Sequence, residues 1–362
     1  MANGANANGS SKGQFSMQVQ IRKRLGLLSR VSTLAIIAAA GGFGAVQQAE
    51  AACGTSQDIT GTGNFTVSSA VTCVTAEDVI GNVTVNAHVG DPGTGYAPFF
   101  VGKGGITGEL LNNSTIFGGG GDYGALTIVG DVQGGIRNTS AITGGGNAVQ
   151  IGFGSSDSHT NGTLSGSITN NAAITGGLSG NGVAALFGTM SGELINNSNG
   201  VITGGDAGVY IANTFSDWSG GISNYGSIHG DTAGIQIGDQ SGGTRFVTFE
   251  GGIYNTGTGS SLDGPAIFAG GASYSGGLTN WGVITETGNS FPGTFDGSGV
   301  VFDATTVGGD VNNYGEIDGV FRQGVLVTNN VANFNGSISN HNYIDGAEGG
   351  VMVLAHTVTG NF

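Results

Sequence analysis

One phrase recurs nine times along the chain and constrains the fold more than any other feature. Each copy has an apolar residue two positions before an asparagine, and successive asparagines are 25 to 33 residues apart. The nine are Asn112, Asn138, Asn170, Asn196, Asn224, Asn255, Asn280, Asn313 and Asn340. Seven copies have isoleucine four residues after the asparagine, and we expect Ile202 and Leu262 to take this place, after short insertions, in the other two. A register kept over nine copies indicates a repeat protein.

Each repeat contains three short apolar pieces separated by glycine and polar residues. Apolar and polar residues alternate within a piece, which is the period of a half-buried strand. No piece can bury a face alone, so the coils must stack on one another in parallel, about 4.8 Å apart. The sequence therefore predicts an all-β chain, a parallel β-helix with three strands per coil and about nine coils. The nine asparagines are predicted to be structural, forming a ladder of amides at one corner.

Composition supports this fold and excludes several classes of protein. The 362 residues include 75 glycines and only 4 prolines, but glycine does not fall at every third position, which excludes collagen. The β-branched residues are too regularly placed for a disordered chain. From Ala52 onward the chain has four basic residues and 23 carboxylates, which gives a net charge of −19. A surface of that sign repels phosphate backbones, so we expect no nucleic-acid partner.

The first part of the chain predicts export. A basic region, a short apolar run (Val31 to Ala40) and small residues ending at Ala51 have the order of a secretory signal peptide. We therefore predict an extended signal peptide over 1–51, an N-terminal β cap over 52–103 and solenoid repeats over 104–362. In an exported chain, Cys53 and Cys73 are expected to form a disulfide bond, with two free thiols as the alternative.

The repeat wording resembles the passenger domain of bacterial autotransporters, which use type V secretion. Gly221-Ile222-Ser223-Asn224-Tyr225-Gly226-Ser227-Ile228 is similar to that family's Ile-x-Asn-x-Gly-x-Ile phrase. The resemblance covers about Gly104 to Leu354 and implies a right-handed parallel β-helix displayed at the outer surface of a Gram-negative bacterium. The family's C-terminal translocator barrel is not found in this sequence. We therefore expect a truncated or split passenger that reaches the outer membrane through a translocator outside this chain.

One row of residues offers candidate chemistry. In the copies after the first, one residue directly follows the isoleucine (or Leu262) of the second apolar piece. These residues are Thr143, Thr175, Thr203, His229, Asp263, Thr285, Asp318 and Asp345. Stacked carboxylates would repel one another, raising the pKa of one of them, and paired carboxylates can act as acid and base on polysaccharides. The alternative is a solvated polar face beside a turn. We favour this alternative and expect no enzyme. Neither metal-ligand spacing nor a cofactor motif is found, so no metal or cofactor is predicted.

The insertions between repeats contain aromatic residues that a three-sided core would not need. Those predicted as binding residues are Phe215, Trp218, Phe246, Phe249, Phe291 and Phe295. Aromatic side chains on loops make good contact residues, although they could equally cover the ends of long loops.

The sequence thus predicts a secreted or surface-displayed passenger with an adhesive or structural role. Its expected partners are a host or neighbouring cell surface, matrix or glycan, with self-association as a further contact. A β-helix polysaccharide lyase or hydrolase that uses Asp263, Asp318 and Asp345 is the alternative.

Overall fold

A computed structural model describes residues 55–91, 96–120, 123–155, 158–240, 247–261, 265–287 and 297–362. Over these ranges the regular secondary structure is strand, and the predicted all-β parallel solenoid of about nine coils is confirmed. No helix in the described ranges is long and apolar enough to cross a membrane. The predicted signal peptide lies outside the described residues.

The solenoid has four parallel sheets, and we number them in the order in which a coil visits them. Sheet 1 has twelve strands: Ser56–Thr62, Cys73–Ile80, Phe99–Val101, Leu126–Ile128, Val149–Ile151, Val183–Ala185, Ala207–Ile211, Ala233–Ile237, Ile267–Ala269, Val300–Phe302, Gln323–Val327 and Gly349–Val353. Sheet 2 has eight: Gly162–Leu164, Gly188–Met190, Phe215–Trp218, Thr248–Phe249, Ser273–Tyr274, Thr306–Val307, Asn333–Phe334 and Thr357–Val358.

The other two sheets carry the first two pieces of the repeat phrase. Sheet 3 has eleven strands: Phe65–Val67, Val83–Val85, Leu110–Asn112, Ile136–Asn138, Ile168–Asn170, Leu194–Asn196, Ile222–Asn224, Ile253–Asn255, Leu278–Asn280, Val311–Asn313 and Ile338–Asn340. Sheet 4 has ten: Val89–Gly90, Ile116–Gly118, Ile142–Gly144, Ala173–Thr175, Val201–Gly204, Ser227–Gly230, Thr258–Ser261, Val283–Glu286, Glu316–Gly319 and Tyr343–Gly346. One antiparallel hairpin, Phe153–Ser155 with Ser158–Thr160, lies just before sheet 2 begins.

The prediction of three strands per coil is wrong from Gly162 onward, where each coil has four. The extra strands form sheet 2, and they use residues that the sequence pattern assigned to insertions, such as Phe215–Trp218. In the earlier coils this side carries only the isolated bridges from Val79 to Ile106 and from Ile106 to Val132. A two- to four-residue strand has too few positions to show alternation, so periodicity could not reveal it.

The described part of 52–103 continues the solenoid. Strand Phe65–Val67 pairs in register with Val83–Val85, which pairs with Leu110–Asn112 of the first repeat. These early coils have valine where the later ones have the ladder asparagine. Cys73 is buried and disulfide-bonded, while Cys53, the chain's other cysteine, lies outside the described residues.

The nine asparagines form one continuous ladder inside the solenoid. Each Nδ2 donates to the Oδ1 of the asparagine in the next coil, over 2.8 Å in seven links and 2.9 Å in the last. The side chains from Asn112 to Asn313 are at most 2% exposed. Buried amides are stable only when they are hydrogen-bonded, and here each coil satisfies its neighbour. The ladder therefore fixes the register of the coils from inside.

The inward isoleucine position of each sheet 4 strand holds a large apolar side chain except in one coil, where the residue is glycine. Ile174, Ile202 and Ile228 pair in register, so Ile202 takes the predicted place. In the next coil, Gly259 lies between Ile228 and Ile284. The expectation for Leu262 is therefore wrong, because the strand keeps its spacing without an insertion and a glycine occupies the isoleucine position.

Candidate functional site

Three of the aromatic residues predicted to bind a ligand belong to the core. The side chains of Phe215, Trp218 and Phe249 are fully buried, on the strands of sheet 2. Trp218 packs edge-on against Phe249, with ring centroids 6.0 Å apart. A buried ring offers no surface to a partner, so the binding prediction for these three is corrected. The other three, Phe246, Phe291 and Phe295, lie outside the described residues.

The predicted acidic row is present at the C-terminal end of sheet 4. Asp318 pairs in register with Asp345 on the neighbouring strand, as the repeat spacing predicts. Two coils earlier than Asp318, the position expected for Asp263 is held by Ser260, which pairs with Thr285. Asp263 itself lies outside the described residues. The row thus brings two of the three candidate carboxylates together.

The two carboxyl groups have different environments. Partial burial, and then the negative charge of Asp345, raise the pKa of Asp318. The Tyr343 hydroxyl donates to Asp345 Oδ2 over 2.6 Å and, with the backbone of Gly346, lowers the pKa of Asp345. Opposite shifts in neighbouring carboxyls are a feature of acid–base pairs, although solvated ion clusters on a protein surface produce them too.

A column of aromatic side chains lies on the outer surface beside the ladder and was not predicted. The residues directly after three successive ladder asparagines, Trp281, Tyr314 and His341, stack face to face. Their ring centroids are 4.1 Å and 4.6 Å apart, and Trp281 is 54% exposed. Because each ring covers the faces of its neighbours, this aromatic column stabilises the outer surface of the coils. Aligning the residue after each ladder asparagine would have shown it.

A polar cleft opens on the outer face of sheet 1. One residue of each sheet 1 strand points outward here, and these residues pair in register to form one row across the coils. The row is buried in the coils before and after the two coils that contain Tyr210 and Gln236. Gln150 and Ala184 are buried on one side, and Phe268 and Val301 on the other. Between them, Tyr210 and Gln236 are only partly buried. A cavity of about 370 Å³ lies there, lined by Asp206, Tyr210, Thr232, Gln236, Asp239 and Gln240.

Hydrogen bonds hold the side chains of this cleft in place. The Tyr210 hydroxyl donates to Asp239 Oδ1, and Asn213 Nδ2 donates to Asp239 Oδ2 over 3.0 Å. Burial, followed by the bond to Asp239, raises the pKa of Tyr210, so its hydroxyl stays a donor. Thr232 Oγ1 donates to Asp206 Oδ1 over 2.6 Å. The polar groups of the cleft, on two strands of sheet 1 and the residues that flank them, are thus already oriented.

In the described ranges, no three His, Cys, Asp or Glu side chains are grouped so that they could hold a metal ion. Comparisons of the chain with family models, with curated proteins and with solved structures gave no match. The fold and the side chains above are therefore the basis for inferring function.

Proposed function

We propose that this chain is an exported, autotransporter-like passenger with an adhesive or structural role, which works by contact over an extended rod. The asparagine ladder carries the proposal, because it links nine coils into one stiff scaffold with a fixed outer surface. A scaffold of this kind presents repeated rows of side chains over many coils, which suits contact with another surface.

We further propose display at the cell surface of a Gram-negative bacterium, or release from it, through a translocator outside this chain. The support is the order of the first 51 residues and the repeat wording. The partners would be another cell surface, matrix or glycan.

Self-association is a further contact that we propose. Exposed apolar side chains lie on the outer surface of the coils, where Leu178 is 94% and Trp281 54% exposed. Apolar groups of this size in contact with water favour association. Sedimentation velocity over a range of concentrations should show a reversible shift to larger species, and a monomer at every concentration would contradict self-association.

The contact function is tested with the purified chain on cells, matrix proteins and immobilised glycans. We expect saturable binding to at least one of them, and no binding by the same chain after heat unfolding. Failure to bind any of these surfaces, or itself, would overturn the proposal.

The second candidate is a polysaccharide lyase or hydrolase that uses the Asp318 and Asp345 pair. The opposite pKa shifts of two carboxyls paired in register favour it. Asp318 would act as the proton donor and Asp345 as the ionised partner. Product release from acidic and neutral polysaccharides should then disappear in the Asp318→Asn/Asp345→Asn chain. If the unaltered chain cleaves none of them, the enzyme function is ruled out.

A further inference from the structure

We propose that the cleft of Asp206, Tyr210, Thr232, Gln236, Asp239 and Gln240 binds a neutral sugar residue of a glycan. The proposal rests on the proposed contact function, because it names a ligand class for the outer surface of the same rod. The cleft lies at two coils, where Tyr210 and Gln236 are only partly buried in an outward row whose neighbouring members on both sides are buried.

The shape of the site fits a small ring rather than a broad surface. Its volume of about 370 Å³ lies within the range of roughly 300–1,000 Å³ that is usual for small-molecule sites. Outward residues on both sides are buried, so the cleft ends after two coils and would hold one part of a longer chain. A glycan could enter because the cavity is open to solvent along its outer side.

The polar groups match a ligand that carries several hydroxyls. Asp206 and Asp239 each accept hydrogen bonds already and, with about four lone-pair sites per carboxylate, can accept more. Gln236 uses its amide nitrogen on the carbonyl of Gly238, over 3.1 Å, which leaves its Oε1 as an acceptor. Sugar hydroxyls can donate to all of these oxygens, and the partly buried Tyr210 ring offers an apolar surface beside them.

One donor in the lining needs an acceptor. Gln240 Nε2 is shielded from water and has no hydrogen-bond partner among the described residues. A buried amide nitrogen left unpaired is unfavourable, and a hydroxyl or ring oxygen of a ligand would pair with it. Hydroxyl groups both donate and accept, so a sugar satisfies Gln240 and the two carboxylates together.

Other ligand classes fit less well. An anionic ligand would meet two carboxylates and no lysine or arginine in the lining. An apolar ligand would leave Gln240 Nε2 unpaired and would shield the two carboxylates from water, which is unfavourable. A divalent cation usually takes six or more oxygen ligands, and Asp206 and Asp239 are already hydrogen-bonded to neighbouring hydroxyls.

The test uses the full chain and a panel of neutral oligosaccharides of hexose, deoxyhexose and N-acetylhexosamine units, with EDTA present. Saturation-transfer NMR identifies a binding sugar and calorimetry gives its Kd. We expect Asp206→Asn and Gln236→Ala each to raise the Kd about tenfold, as for the loss of a hydrogen bond in a polar site. Asp310→Asn, on an exposed corner outside the cleft, is the matched control and should leave the Kd unchanged.

Three results would overturn the proposal. They are no binding by any sugar of the panel, binding that both cleft variants leave unchanged, and, in a separate titration without EDTA, binding of Ca²⁺ alone that Asp206→Asn abolishes. Circular dichroism and urea unfolding of each variant show whether the fold is intact. The adhesion assay separates this proposal from the contact function: if Asp206→Asn adheres like the unaltered chain while no sugar binds, the cleft proposal fails alone. Sugar binding without adhesion would leave the cleft proposal standing and contradict the contact function.

Discussion

Asn138 Nδ2 donates to Asn170 Oδ1 over 2.8 Å, although 32 residues of chain separate the two. The next link, from Asn170 to Asn196, has the same length over 26 residues. The longer segment contains the hairpin of Phe153–Ser155 and Ser158–Thr160, which leaves the ladder unchanged. The amides therefore set the position of a coil, and insertions between them are accommodated elsewhere.

Removing an amide from the middle of the ladder should destabilise the fold. Asn224 accepts from Asn196 and donates to Asn255, both over 2.8 Å, and it is 1% exposed. We expect Asn224→Ala to lower the free energy of unfolding by about 2–3 kcal/mol, because buried neighbours lose their partners. Asn340→Ala, at the exposed end of the ladder, should cost less than about 1 kcal/mol. Urea titrations of both variants check this, and equal losses would contradict a cooperative ladder.

Two neighbouring glycines should respond to alanine in opposite ways. A Cβ on Gly257 would lie 2.0 Å from the carbonyl oxygen of Gly226 in the preceding coil, so Gly257→Ala must push two coils apart. We expect a loss of about 2 kcal/mol or more in the free energy of unfolding. Gly259 is buried, yet nothing lies within 4 Å of a Cβ there.

The paired variant Gly259→Ala should therefore be stabilising, by about 1 kcal/mol. It fills part of the space between Ile228 and Ile284 and reduces the freedom of the unfolded chain. Thermal and urea unfolding of the two variants measure the difference. A Gly259→Ala chain as unstable as Gly257→Ala would show that the space in the isoleucine column is absent.

The aromatic column should contribute to the stability of the fold mainly through its middle ring. Tyr314 stacks on both Trp281 and His341, so Tyr314→Ala removes two ring contacts and Trp281→Ala only one. At about 0.5–1.5 kcal/mol per aromatic pair, we expect Tyr314→Ala to lower the free energy of unfolding by about 1–3 kcal/mol, twice the effect of Trp281→Ala. Tyr314→Phe keeps the ring and should be close to the unaltered chain, whereas equal losses in Phe and Ala variants would implicate the hydroxyl.

The acidic pair predicts a dependence on pH. The folded-state pKa of Asp318 is raised, so folding favours its protonated form, and its contribution to stability falls as pH rises through that pKa. Asp318→Asn should therefore raise the urea midpoint at pH 7, where the carboxylate is ionised. At a pH below the ordinary aspartate pKa, the variant and the unaltered chain should differ little. A variant that is less stable at pH 7 would contradict the repulsion between Asp318 and Asp345.

Part of the candidate site could be predicted from spacing. Asp318 and Asp345 occupy equivalent places in two copies of the phrase, so stacking the copies brings them together. The cleft could not be predicted, because Gln150 and Gln236 hold equivalent places in the outward row of sheet 1 and yet only Gln150 is fully buried. The aromatic column could be predicted in part. Its residues hold fixed positions in the repeat, but their stacking is visible only when the coils are superposed.

The sequence by itself determined the parallel solenoid, the ladder and most of the isoleucine columns. These features depend on residues that recur at fixed positions, and any stack of equivalent coils brings such residues into contact. Only the tertiary structure decided sheet 2, the burial of Phe215, Trp218 and Phe249, and the place of Gly259. The segments that contain these residues vary in length and show no period. Their conformation therefore follows from pairing with the adjacent coils, whose residues are distant in the chain.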